Sequence, residues 1–117
     1  MRAFRACLIG LLGLILCQHY ITSGMHHVAE TFEGSVQALC RHIDTLHELT
    51  GSYDHIAIGS DLDGYIKPAL PGLGHQGRMA DLQDALTQRY GSDVTQQICS
   101  GNALRLLRAH WGRKRPR

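Results

Sequence analysis

The chain has little with which to cross-link itself or to build a sulfur-rich metal centre. Its four cysteines, Cys7, Cys17, Cys40 and Cys99, show no Cys-x-x-Cys spacing, which argues against zinc-ribbon chemistry. Cys7 and Cys17 lie in an apolar run and Cys40 on an apolar helical face, where free thiols pack as small hydrophobes. There is no glycine-rich phosphate loop, no Gly-x-Ser-x-Gly elbow and no Cys-His pattern of a thiol hydrolase, so those routes to phosphate binding and covalent catalysis are closed. The uncharged run from Ala6 to Cys17 is shorter than the roughly 20 residues of a membrane span. Charge of one sign is scarce as well. A formal net charge of +2 does not point to nucleic acid, and there is no aromatic platform on which bases would stack. The excess basicity sits at the end, in Arg105, Arg108, Arg113, Lys114, Arg115 and Arg117, where cations suit a helix C-terminus and solubility. A basic rather than apolar end shows no lipid-anchor signal.

What is present is a βα grammar. In His55-Ile56-Ala57-Ile58-Gly59-Ser60-Asp61-Leu62-Asp63-Gly64 an apolar run stops at a glycine and two carboxylates. Unbroken β-branched and small apolar residues suit a strand covered on both faces, as in a parallel sheet flanked by helices. Such sheets carry their chemistry at the carboxyl ends of the strands, which would bring Asp61 to a rim; the alternative is an Asp-Gly turn between ordinary elements. Upstream, Val36, Leu39, Cys40, Ile43, Leu46 and Leu49 recur at helical spacing between Thr31 and Thr50, and Gly51 supplies the stop. Downstream, Met79, Leu82, Ala85, Leu86 and Tyr90 mark a helical face ended by Gly91. Ser92-Asp93 starts a short helix, and Asn102 is expected to cap a last one carrying Leu104, Leu106 and Leu107, with Trp111 packing it. The order amounts to two βα units.

The N-terminus has two readings. Arg2 and Arg5 before an apolar run, with Thr22, Ser23 and Gly24 after it, have the layout of a secretory signal peptide. The same run also suits a strand, with Gly10 and Gly13 allowing close packing. The strand is favoured, and with it a cytoplasmic location; export follows if residues 1–24 are a signal, and the chain is then a small exported or membrane-associated protein without enzymatic activity.

Several segments, in order, resemble the renal (membrane) dipeptidase family of zinc-dependent dipeptidases. They are Thr31-Phe32-Glu33, Arg41-His42-Ile43-Asp44, Asp54 through Gly64, Pro71-Gly72-Leu73, Met79-Ala80-Asp81-Leu82 and Gly101-Asn102-Ala103-Leu104-Arg105. The resemblance implies an α/β fold, the last two βα units of a TIM-like (β/α)8 metallohydrolase barrel. Such a barrel takes about 250 residues, and this sequence has 117. It is therefore expected to be one partial barrel domain: a strand region at 6–21, a helix at 31–50, a strand and rim turn at 55–64, helices at 78–111 and a basic tail at 112–117. By the same mapping the ligands of the family's two zinc ions, and its substrate-binding arginine, precede Met1. Only the strand-end aspartate carries over, as catalytic Asp61, with His19 and Asp63 as weaker substrate-binding candidates. The implied substrate is a dipeptide, and the implied partner is a complementing chain or a second copy.

His42 and Asp44 form a His-x-Asp pair, but two residues apart on a helix lie about 200° around the axis and cannot face one ion. Both are expected on solvent-facing flanks. Asp44, His47 and Glu48 share a face, read here as a surface ion-pair cluster, and His26-His27 falls in a loop-like segment.

Overall fold

A computed structural model describes residues 10–18, 21, 29–62, 64 and 69–111. The expectations for Cys7, His19, His26, His27, Asp63 and the 112–117 tail lie outside these residues.

Strands β1 (Leu12–Leu14) and β2 (Ile56–Ile58) pair in parallel, with Leu12 opposite Ile56, Gly13 opposite Ala57 and Leu14 opposite Ile58. Parallel strands need a crossover, usually helical. Here it contains helix α1 (Phe32–Thr50). Thr31 starts α1 by accepting a hydrogen bond from the Gly34 N–H, and Gly51 ends it at φ 78°, donating its own N–H to the His47 carbonyl. Leu39, Cys40 and Ile43 are buried as their spacing predicts, while Val36 and Leu46 pack at the margin of the core. Ser35 and Ala38 are also buried. These smaller residues let α1 approach the rest of the core closely.

Beyond β2, a 3-10 turn (Gln76–Arg78) leads into helix α2 (Met79–Tyr90), whose Leu82 and Leu86 enter the core. Gly91, at φ 86°, breaks the chain there, and α3 (Ser92–Gln96), a π-helical turn (Gln97–Gly101) and α4 (Asn102–His110) follow as one winding. Leu14, Leu16, Leu39, Ile43, Ile56, Leu70, Leu82 and Ile98 form a single buried cluster between the strand pair and the helices. The fold is thus a mixed α/β arrangement with a two-stranded parallel sheet among the described residues.

Two expectations are corrected and a third is refined. Asn102 does not cap a separate helix, because the backbone is already helical through Gly101 and the Asn102 side chain is buried. Arg105 is exposed, as expected of the basic end, but it is also held by hydrogen bonds. It reaches back to the Asp54 carbonyl at 2.6 Å and the Asn102 side-chain oxygen at 3.0 Å. Trp111 does not pack the final helix: it stands past the last turn on extended backbone and is 76% exposed.

Candidate functional site at the carboxyl end of β2

The two strands are registered from both ends. At their start, a His55 ring nitrogen lies 3.0 Å from the Gly10 carbonyl, and the Leu12 N–H donates to the His55 carbonyl at 2.7 Å. At their far end, the Gly59 N–H donates to Leu14 and the Leu16 N–H to Ser60, at 3.1 and 3.2 Å. Ladder bonding therefore continues up to the residue before Asp61. Small residues allow this closeness, since a Cβ on Gly59 would sit 3.3 Å from the Gly13 Cα.

Asp61 follows immediately and leaves the strand direction at φ 55°, in the left-handed region that Asp tolerates better than most residues. Its carbonyl accepts the Gly64 N–H at 3.0 Å, closing a turn that leaves Asp61 exposed. The following segment returns to the neighbouring strand's end. Ala69 bridges Cys17, and the Leu70 N–H donates to the Leu16 carbonyl at 3.0 Å. Leu70 and Leu73 are buried, Ser35 donates to the Pro71 carbonyl at 2.8 Å, and Gly72 at φ 79° fits where a Cβ would meet the Phe32 side chain. Arg78 donates to the Gly72 carbonyl at 3.0 Å. The loop beside the rim is therefore anchored to the N-terminal turn of α1.

A cavity of about 210 Å³ opens beside the strand end, lined by Ile58, Ser60, Gln76, Met79, Leu82 and Cys99. Burial pushes the Cys99 thiol above its ordinary pKa, which keeps it protonated and poorly nucleophilic.

His42 and Asp44 have separate partners. A His42 ring nitrogen lies 2.8 Å from the Ile21 carbonyl, so this side chain is tied to the core rather than turned to solvent. Asp44 accepts from the Tyr90 hydroxyl and from Arg89, each at 2.7 Å. His47 instead stacks on Tyr53, with ring centroids 4.1 Å apart. The expected cluster along one face of α1 is thus replaced by bonds across two helices, because Arg89 and Tyr90 at the end of α2 lie against Asp44. Among the described residues, no three His, Cys, Asp or Glu side chains converge as a metal site.

A sequence model of the membrane dipeptidase family (peptidase family M19) matches residues 9–115 of the 117-residue chain. The chain belongs to the membrane dipeptidase family. No curated protein and no solved structure matches it. Membership of the membrane dipeptidases makes a peptide-hydrolysing, metallopeptidase-like function the family-level assignment. The match spans β1 to α4, and β1 is paired to β2. The signal-peptide alternative for the opening run is accordingly not supported. Among the described residues, no helix is long and apolar enough to cross a membrane.

Sequence reasoning missed the clamp formed by Asn102 and Arg105. A signal existed: Asn102 stands four residues from both Ile98 and Leu106, which puts a polar side chain on an apolar helical face.

Proposed function

We propose that this membrane dipeptidase family chain forms the closing part, the last two βα units, of a TIM-like barrel that hydrolyses dipeptides, with Asp61 as the proton carrier at its rim. The observation that carries this reading is the parallel β1–β2 ladder running up to Asp61. In barrels of parallel strands, catalytic groups stand at the carboxyl ends.

In this role the Asp61 carboxylate takes a proton from the water that attacks the peptide carbonyl. The C–O bond forms, the C–N bond breaks, and the same proton passes to the departing amine. General acid–base transfer of this kind supplies about 10²–10⁴-fold in rate. The zinc pair that the family implies finds no fitting donor set among the described residues. In this reading the resemblance places its ligands on a complementing polypeptide, and the chain alone is inactive. His19 and Asp63 remain secondary candidates for contacts to the dipeptide.

The test is dipeptide turnover by the full chain, alone and mixed with a polypeptide carrying the family's metal-ligand segments. Turnover is expected only in the mixture, and Asp61→Asn should lower it about 10²–10⁴-fold. Unchanged turnover in the Asp61→Asn mixture would remove Asp61 from the mechanism.

A further inference from the structure

An acid that carries a proton must offer one of its oxygens at a fixed place, within about 2.6–3.2 Å of the reacting atom. Asp61 is exposed, and among the described residues none donates a hydrogen bond to its carboxylate. Packing therefore does not hold this side chain. What limits it is its own turn. Asp61 takes a left-handed φ of 55°, its carboxylate lies forward over the turn beside Gly64, and the Gly64 N–H bonded to the Asp61 carbonyl closes the ring of that turn.

Gly64 is where the two halves meet. A Cβ placed there would fall on the Asp61 Oδ1, 2.9 Å from its Cγ and 2.9 Å from its carbonyl oxygen. The space that a side chain would occupy is filled by the carboxylate. A Cβ on Gly72 or Gly77 would likewise press on a neighbouring side chain, that of Phe32 or His75, but only at Gly64 is that neighbour the strand-end carboxylate; a Cβ on the exposed Gly74 would meet nothing within 4 Å.

We infer that Gly64 is a positioning residue for Asp61: its missing side chain is the seat of the carboxylate. This rests on the proton-carrying role proposed for Asp61. Any larger residue at 64 displaces the carboxylate from its place over the turn and presses on the Asp61 carbonyl as well.

The experiment uses the full chain with ¹³C-labelled aspartate. Gly64→Ala should move the Asp61 carboxyl resonance and the Asp61 amide–α-proton coupling, whereas Gly74→Ala should move neither. In thermal melts, the loss caused by Gly64→Ala should shrink when Asp61→Gly is added, because the colliding carboxylate is then absent. If Gly64→Ala does not fold, recovery of folding in the double variant supports the inference equally. An unmoved Asp61 resonance, or a Gly64→Ala penalty undiminished in the Asp61→Gly background, overturns it. The complemented turnover assay keeps the two ideas apart. Unchanged turnover on Asp61→Asn removes the proton-carrying reading even where the resonance moves as expected. Lost turnover on Asp61→Asn with a stationary resonance in Gly64→Ala removes only the positioning role.

Discussion

Asn102 holds the start of β2 from inside a helix. Its amide nitrogen donates to the Tyr53 carbonyl at 2.6 Å and to the Ile56 carbonyl at 2.8 Å, and its oxygen accepts from Arg105. The side chain is fully buried. Buried backbone carbonyls deprived of a donor cost about 1–3 kcal/mol, whereas an exposed partner can turn to water. Asn102→Ala should therefore lower stability by about 1–3 kcal/mol, read as the shift of the urea midpoint, and Arg105→Ala by clearly less. A smaller loss for Asn102→Ala than for Arg105→Ala would show that the clamp works through the guanidinium instead. The π-helical turn immediately before Asn102 sets where this side chain emerges, and such turns often mark adjusted helix faces.

At the level of elements, the contact between α1 and α2 depends on two protonation states. Partial burial tends to raise the Asp44 carboxyl, but the Tyr90 and Arg89 hydrogen bonds and the charges of Arg89 and His47 outweigh it, and the net shift is downward. Burial, followed by the bond to Asp44, pushes the Tyr90 phenol well above its ordinary range. For Asp44 the folded state favours the carboxylate, so its contribution is complete above the ordinary value of 3.8 and fades as pH falls through the lower folded value. For Tyr90 the folded state favours the neutral phenol, so its contribution is complete below 10.0 and fades as pH rises beyond it. Urea midpoints measured against pH should show a plateau that declines on both sides, and Tyr90→Phe should flatten the alkaline decline. An alkaline limb unaltered in Tyr90→Phe would assign it to another group. Tyr90 also meets Tyr53 edge-on at 5.7 Å, which links this contact to the segment entering β2.

At the scale of the whole molecule, the strand pair gains only the isolated Cys17–Ala69 bridge and no further strand among the described residues. Leu104 and Leu107 on the final helix, and Trp111 just past it, are exposed. Open sheet edges and exposed apolar side chains promote association. The chain is accordingly expected to run larger than a monomer in light-scattering chromatography; a sharp monomeric peak with cooperative melting would contradict this. The strand–helix–strand order, the end of α1 at Gly51, the break at Gly91 and the place of Asp61 after β2 were legible in the sequence. Each depends on local periodicity or on a glycine whose conformation few other residues share. The bond from α2 to Asp44, the burial of Asn102, the exposure of Trp111 and the seat of the Asp61 carboxylate over Gly64 were not legible. Those outcomes depend on which groups meet across the fold or within a turn, and spacing along one element does not encode them. The sequence by itself determined the elements, their order and the family; only the tertiary structure decided which polar groups are paired and which apolar ones stay in water, because pairing is a property of distances between segments.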